Sequence, residues 1–590
     1  DLPTLKNVSP SARRVDVPAL VLLNRGRQSQ AVLHKPPAQP VPAVVAAPTF
    51  SFELLLIFTI LNPMLTITAR HLKTIILLLL TAAVLTAAPS VNLPLEHWAY
   101  PFLERLEAKG LISGGELRVR PLPRAVAADL VEQAVINARQ KPSRLTTSDR
   151  LLLEQLQSDL SEESAGRPTL ASFIEPEPHL YSYRDADTAL HLDLVGRQTI
   201  ISNRGTETSE LLSKTTAGAQ LRGSWGTAWA FFAEAHNTLT RGENRDPNDE
   251  NYDPDKGEPV GISGANVYRD RATAYLVWQK SHLRFEAGKD EFDWGPFYGG
   301  GAALSSNAPP ADLLRLALRT QRFKFTFMHA WLRSSFSQKY LAAHRLDARL
   351  VRGVYVGFSE TVVYAGRALE PSYLNPLMLY HIAEHHLGDR DNNNLCLDAA
   401  ITRIPNLTLK AEWYIDDMTL TKSRRNYFGN KFAWSVGGLW ADAFFVDNVD
   451  LTVRYVKISP YVYTHWDLRN IYTHYDKIIG NELGPNADEI SLTAGRRFGR
   501  DFHAELSFRH TRKGSGAANT ETRPPIGDRK DFLSGIVEQR SLIGIRLVDQ
   551  VRRDLYITLS YAYQDVRNRE QIPGGSSHDH LVRLQIDWNY

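Results

Sequence analysis

The sequence predicts an all-β transmembrane barrel of about 18 antiparallel strands with a small N-terminal helical segment. Apolar and polar residues alternate with a period of two from about residue 188 to the C-terminus. The linkers between these alternating segments are short and long in turn, and an apolar segment near the front has the order of a secretory signal peptide. Strands of membrane barrels show this dyad alternation, with short turns at one end and longer loops at the other.

The composition limits the classes of function. The 590 residues include 68 basic and 65 acidic residues, for a net charge of +3, which argues against a basic nucleic-acid-binding protein. With 43% hydrophobic residues the chain is not an acidic disordered protein. Its one cysteine excludes an intrachain disulfide and a cysteine-rich metal site. We therefore expect an ordered protein with no nucleic-acid partner.

The front of the chain resembles an exported precursor with an upstream extension. Residues 1–63 contain no Met and begin with a Pro- and Ala-rich stretch that lacks a steady period, so we predict a disordered, non-native extension. Residues 64–88 are predicted to be a signal peptide whose cleavage site is defined only to within a few residues. A single membrane anchor is the alternative, although the apolar run is short for one. The signal-like features are, in chain order, Arg70, His71 and Lys73, then Ile75 to Val84, then Ala87 and Ala88.

Residues 89–170 are predicted to form a helical periplasmic or plug segment. Three amphipathic runs with three- and four-residue spacing lie at 98–111, 125–138 and 151–160, and Thr147 or Ser148 is the expected N-cap of the third. The stretch 97–125 also resembles a single S-layer-homology repeat, a module that binds cell-wall polymers. Val126 stands where that repeat usually has an acidic residue. A plug is therefore favoured, and peptidoglycan binding is the alternative.

Residues 171–590 are predicted to form the barrel, and the last strand shows the pattern best. Its apolar residues share one face and its polar residues the other, as expected for a wall between lipid and a wet interior. The terminal Tyr590 also resembles the signal that outer-membrane barrels present to their insertion machinery. Outer-membrane lipid and that machinery are therefore expected partners. The apolar face consists of Val582, Leu584, Ile586, Trp588 and Tyr590, and the polar face of Arg583, Gln585, Asp587 and Asn589.

Two long blocks of sequence carry a family resemblance. The first, at 287–300, reads AGKDEFDWGPFYGG, and the second runs from Leu369 to Asn393. Both are similar to the Wzi family of capsule-assembly proteins, and the resemblance extends over roughly 95–590. It implies an 18-stranded barrel of the bacterial outer membrane with a small helical part and a largely occluded lumen. It also implies a lectin that holds capsular polysaccharide at the cell surface, and not an enzyme.

The loop at 460–476 is the best candidate for a glycan site, because it mixes aromatic with hydrogen-bonding side chains. Aromatic rings stack on the apolar C–H faces of sugars, and charged or imidazole groups pair with sugar hydroxyls. The alternative is an aromatic belt at the membrane interface with a long strand end. The candidate polysaccharide-binding residues are Tyr461, Tyr463, His465, Trp466, Asp467, Arg469, Tyr472 and Tyr475.

Other clusters give weaker signals. His381, Glu384 and His385 have metal-binding side chains, but no Glu directly follows the first His, so we interpret them as a polar loop folded into the lumen. The acidic stretch 241–258 lacks the spacing of a calcium-binding loop. A Gly-x-Ser-x-Gly motif and a phosphate-binding glycine loop are both missing. We therefore predict no catalytic residues, no metal and no cofactor.

The predicted function is to bind and anchor capsular or exopolysaccharide at the surface of the bacterial outer membrane, in support of capsule assembly. The alternative is a porin-like diffusion channel, since about 18 strands can enclose a water-filled pore. Conductance separates the two, because a lectin with an occluded lumen does not conduct steadily.

Overall fold

The computed structural model describes residues 89–589, except 165–166, 172–174, 207–208, 243–257, 264–265, 335–337, 420–425, 515–521 and 525–526. The predicted extension 1–63, the predicted signal peptide 64–88 and Tyr590 lie outside the described residues, as does most of the acidic stretch 241–258. Among the described helices, none combines the length and the apolar character needed to span a bilayer.

Eighteen antiparallel strands of the described chain close into one barrel, which confirms the predicted fold class and the expected number of strands. Each strand pairs with its sequence neighbours, and β18 closes the ring on β1 with Asp579 opposite Gly205. In chain order the barrel strands are β1 Thr188–Gly205, β2 Ser209–Trp225, β3 Trp229–Arg241, β4 Asn266–Lys280, β5 Leu283–Asp290, β6 Ala311–Arg319, β7 Phe323–Leu332, β8 Lys339–Val351, β9 Val354–Ala365, β10 Asn392–Ile404, β11 Leu407–Asp417, β12 Lys431–Trp440, β13 Val449–Ile458, β14 Ala487–Phe498, β15 Phe502–Lys513, β16 Glu538–Arg552, β17 Leu555–Arg567 and β18 Ser576–Asn589.

The first hairpin is longer than the sequence indicates. The alternation of short and long linkers in the sequence predicts a long linker at 201–214, but most of this stretch is strand. β1 continues to Gly205, and β2 begins at Ser209. Ile201 and Leu212 lie opposite each other in the register and are both buried. This cross-strand apolar pair stabilises the extension, whereas the polar residues around it conceal the strand pattern. The segment 175–187, which we call the lead-in, contributes a short strand, Tyr181–Arg184, that pairs with the start of β1.

The outer wall carries the expected apolar face. Val582, Leu584, Ile586 and Trp588 of β18 are each 37–41% exposed, whereas Arg583 and Gln585 on the other face hydrogen-bond at 2.6 Å. Large apolar side chains exposed on strands are what a lipid-facing wall requires. At the short-turn end, Trp225 and Trp229 stack with ring centroids 5.8 Å apart, in the position of an interfacial aromatic belt.

The three predicted amphipathic runs are helices: α1 Ala99–Ala108, α2 Arg124–Gln140 and α3 Thr147–Asp159. Their apolar faces share one core that includes Leu103, Leu130 and Leu156. The N-cap of α3 is Thr146, one residue before the predicted Thr147 or Ser148. Thr146 and Asp149 form a reciprocal capping box, in which each side chain accepts from the other's backbone N–H at 3.1 Å.

This helical segment lies across the short-turn end of the barrel. Its contacts reach the wall at points spread around the ring, from β1 to the turn after β16, so the segment lies within the circle of strands. The ion pairs are Glu96 with Arg197 at 3.1 Å, Glu104 with Lys410 at 2.6 Å, Arg105 with Asp442 at 2.5 Å, Asp129 with Arg319 at 2.7 Å and Asp159 with Arg553 at 3.3 Å.

Candidate glycan-binding surface

The loop between β5 and β6, residues 291–310, enters the lumen and meets the helical segment. Its residues Asp293–Trp294 pair with Val119–Arg120 as a two-stranded ribbon. Arg120 donates through Nε to Asp293 Oδ2 at 2.6 Å and through Nη2 to the carbonyl of Gly295 at 2.9 Å. Both charged side chains are no more than 1% exposed. The first family-like block therefore connects the barrel to the helices through a buried ion pair.

The loop between β13 and β14, residues 459–486, covers the 291–310 loop from the long-loop end. The rings of Tyr463 and Tyr472 stack with centroids 5.6 Å apart, and both side chains are buried. Their hydroxyls donate to the carbonyls of Ala302 at 2.7 Å and Ala303 at 2.9 Å. These tyrosines hold the two loops together inside the lumen and do not face lipid.

Beyond these buried tyrosines lies a group of side chains that we call the Trp466 patch: the exposed Trp466 and Arg469, the partly buried Asp467 and the buried His465. The indole of Trp466 is 67% exposed, and the His465 ring lies beside it with centroids 5.2 Å apart. Arg469 donates to Asp467 through Nε at 2.9 Å and through Nη2 at 2.6 Å. This hydrogen bonding lowers the pKa of Asp467. The patch presents an aromatic face next to an oriented carboxylate and guanidinium.

The structure divides the eight predicted binding residues into three sets. Four form the Trp466 patch, whereas Tyr461, Tyr463 and Tyr472 are buried beneath it. The eighth, Tyr475, is partly buried with its ring 4.6 Å from that of His474. The polysaccharide-binding role of all eight stays a prediction. In the structure, the buried tyrosines support the loop and the patch is what a polymer outside the barrel can reach.

The second family-like block forms a hairpin on the outside of the barrel. Its helices α4 Pro371–Leu374 and α5 Tyr380–His386 bury Tyr373, Tyr380 and Ala383 against Tyr340 and Tyr364, which belong to the outward faces of β8 and β9. The interpretation of this segment as a polar loop inside the lumen is therefore wrong.

The outward wall explains the position of this hairpin. His344 and Glu360 lie on the same outward face, with His344 Nε2 3.0 Å from Glu360 Oε2. The backbone N–H of His381 donates to Glu360 at 2.7 Å. Without the hairpin these two polar groups would face lipid, at considerable cost in free energy. Composition alone does not show which side of the wall a polar loop covers.

The hairpin loop and the Trp466 patch are joined by hydrogen bonds. Asn470 donates to the carbonyl of Arg390 at 2.8 Å, and Asn392 donates to the carbonyl of Asn470 at 2.9 Å. Arg367 binds both oxygens of Asp391, at 2.7 and 2.5 Å. Arg367 and Asp391 were not among the predicted site residues, since their partners are distant in sequence.

Glu384 makes the outer hairpin sensitive to pH. Burial, followed by repulsion from Asp389 and Asp391, raises the pKa of this carboxyl to about 8 from its ordinary 4.5. Because the folded hairpin holds the proton more tightly than the open one, its stability is greatest below about pH 4.5 and decreases as the pH rises towards about 8. Hydrogen exchange of 380–388, corrected for intrinsic rates, should show this loss of protection. In Glu384→Gln the dependence should disappear, and an unchanged dependence would assign it to another group.

Comparison with known proteins identifies the family and a similar fold. The family model described as capsule assembly protein Wzi matches residues 194–581. No match was found among curated protein sequences. The solved structure of Wzi from Escherichia coli, described as a carbohydrate-binding β-barrel involved in group 1 capsule assembly, covers 85% of this chain and 99% of its own, with a TM-score of 0.54 at 14% identity. At that identity the likeness shows the fold.

Two solved structures of proteins from other bacteria are more distantly similar. OccAB1 of Acinetobacter baumannii has a TM-score of 0.42 at 8% identity, covering 68% of this chain and 96% of its own. OprD of Pseudomonas aeruginosa has a TM-score of 0.40 at 10% identity, covering 68% and 95%. The family match, by contrast, extends over more than half of the chain. The chain is an outer-membrane β-barrel and belongs to the capsule assembly protein Wzi family.

Proposed function

We propose that this protein binds capsular or exopolysaccharide at the cell surface through the Trp466 patch, as a lectin and without catalysis, and so supports capsule assembly. The observation that carries the proposal is the exposed indole of Trp466 beside the Asp467–Arg469 pair at the long-loop end. Family membership supports it, and the E. coli relative is described as carbohydrate-binding.

The geometry of the patch suits a sugar chain. An indole offers a large, rigid apolar face, and charge-assisted hydrogen bonds are stronger than neutral ones. Asp467 is held by the side chain of Arg469 and also accepts from its backbone N–H at 3.1 Å. A group that is already ordered loses less entropy on binding. The patch therefore combines stacking with preorganised polar contacts.

The interior of the barrel favours this function over a diffusion channel. An apolar core inside the wall of β6 to β13 joins Trp294 and Leu304 of the 291–310 loop to Tyr414 of β11 and Val462 of the 459–486 loop. The helical segment lies across the other end. We propose that 89–170 is a periplasmic plug and that the filled lumen supports the exposed patch.

Removing the patch should abolish most of the binding. We expect Trp466→Ala combined with Arg469→Ala to weaken polysaccharide binding by at least about tenfold, which corresponds to about 1.4 kcal/mol and is typical of an aromatic or Arg hot spot. A glycan array on the detergent-solubilised protein identifies the polymer, and calorimetry then measures the affinity.

Phe445→Ala is the matched control. This aromatic side chain is 96% exposed, but it lies in the turn after β12 at the short-turn end. Its loss should leave binding unchanged. Equal affinity of the correctly folded double variant and the control would remove the Trp466 patch from the proposed site.

A further inference from the structure

Three side chains from separate parts of the chain converge where the helical segment meets the barrel wall. Glu162 follows α3, His179 belongs to the lead-in segment, and His191 lies in β1. One ligand atom from each lies within 4.8 Å of the other two. Both imidazoles are 4% exposed, and their ring centroids are 4.4 Å apart. The cluster is thus a closely packed set of nitrogen and oxygen donors.

The outer nitrogen of each imidazole already has a partner. Nδ1 of His179 lies 3.0 Å from both carboxylate oxygens of Asp193, and Nδ1 of His191 lies 3.1 Å from Ser182 Oγ. Nε2 of His191 contacts the carboxylate of Glu162. Histidines that bind metals characteristically donate their other N–H to a carboxylate or a similar acceptor, which orients the ring. Nε2 of His191 therefore faces Glu162, and Nε2 of His179 faces Arg222.

Arg222 is the group nearest to the cluster that opposes a cation. Its Nη2 lies 3.2 Å from His179 Nε2, and its Nη1 lies 3.7 Å from Glu162 Oε2. Arg222 is also paired with Glu177, which forms a second ion pair with Arg124 at 2.9 Å. Arg222 would therefore keep Glu177 as its ion-pair partner when the Nε2 atom of His179 binds a metal ion instead of Arg222.

The remaining charges fit a divalent ion. Arg124 is paired with Glu163 at 3.0 Å as well as with Glu177. Glu163 and Glu177 therefore balance the charges of Arg124 and Arg222. Glu162 and Asp193 are then left as two carboxylates around the two imidazoles. A divalent cation bound between them would neutralise these two charges.

We propose that Glu162, His179 and His191 form a zinc site that fastens the helical segment and the lead-in to β1. Two histidines and one carboxylate, with a water in the fourth position, are a donor set that zinc accepts in proteins. The spacing of these residues, 17 and 12 apart, matches no zinc motif, and the sequence analysis therefore predicted no metal. The ion stabilises the docked segment because its ligands come together only in the folded state.

The test uses the full chain in detergent, purified without a polyhistidine tag, stripped with a chelator and titrated with zinc chloride. We expect one zinc ion per chain and a higher Tm when zinc is bound. Cobalt(II) added in its place should give the absorption bands of a tetrahedral site. Both His179→Ala and His191→Ala should weaken zinc binding at least about tenfold, and Asp193→Asn should weaken it about 10- to 100-fold by releasing the His179 ring.

His236→Gln is the matched control, because His236 lies 3.2 Å from Glu234 on β3 without a second histidine in the pair. It should bind zinc as the wild type does. If a His→Ala variant does not fold, the zinc affinity and the cobalt spectrum of the Asp193→Asn variant test the site instead. The site is supported if the wild type and the control bind one zinc ion per chain and the cluster variants do not. An absence of zinc binding by the wild type, or equal binding by the cluster variants and the control, overturns it.

Discussion

We expect Asp293→Ala to lower the free energy of unfolding by about 3–5 kcal/mol, because it leaves the buried guanidinium of Arg120 without its counter-charge. Asp293 is 0% exposed, and its Oδ2 accepts from Arg120 Nε at 2.6 Å and from the backbone N–H of Gly299 at 2.9 Å. The change also removes the link between the 291–310 loop and the helical segment. Urea unfolding in detergent, followed by the loss of heat-modifiable migration, measures the effect.

Asp531→Ala is the matched control for that measurement. Asp531 also pairs with an arginine, Arg529, at 3.1 Å, but the two side chains are 62% and 72% exposed. Exposed ion pairs contribute about 0–1 kcal/mol, so little change is expected. A similar small effect of both variants would mean that the Arg120–Asp293 pair does not secure the lumen.

The second large effect concerns ion conduction. We expect the full chain to show no steady conductance in a planar bilayer, whereas a variant without 89–170 should conduct as an open channel. The reason is that the helical segment contacts the wall around the ring and lies across the short-turn end. Steady conductance of the full chain would contradict the plug and favour the porin-like alternative.

Arg105→Ala tests the same point if the shortened barrel does not insert. Arg105 is 1% exposed and contacts Asp149, Asp442 and Asp450. Its loss leaves Asp149 and Asp442 paired with Lys109, at 2.7 Å and 2.6 Å, and leaves Asp450 with the nearby positive charge of Arg497. We expect the segment to undock part of the time and to give intermittent openings. Conductance as low as that of the wild type would show that other contacts hold the plug.

The barrel wall could be predicted because its signal is local. A strand between lipid and a polar interior must alternate its side chains, as β18 does from Val582 to Trp588. The helices were predictable for the same reason, and α3 differs only by the cap at Thr146. The β1–β2 extension was not, since its stabilising pair, Ile201 and Leu212, is apparent only in the register.

The sequence identified the loop that holds the candidate site, but not which of its side chains are exposed. Its composition identified 460–476, but the backbone decides which rings point outward. Tyr461 and Tyr463 both have a positive φ of 69°, a conformation rare for residues other than glycine. In the folded loop Tyr463 is buried and Trp466 remains exposed. Residue type does not specify such turns.

Strand order, wall polarity and the helical runs follow from the amino-acid pattern, because each depends on neighbours within a few residues and on the contrast between lipid and water. The contacts that define the interior depend on the closed barrel. Arg120 meets Asp293 across 173 positions, and Glu162 meets His179 and His191 only where the helices reach β1. A buried charge needs a partner, and closure of the ring with packing of the loops inside it selects which distant residue that partner is.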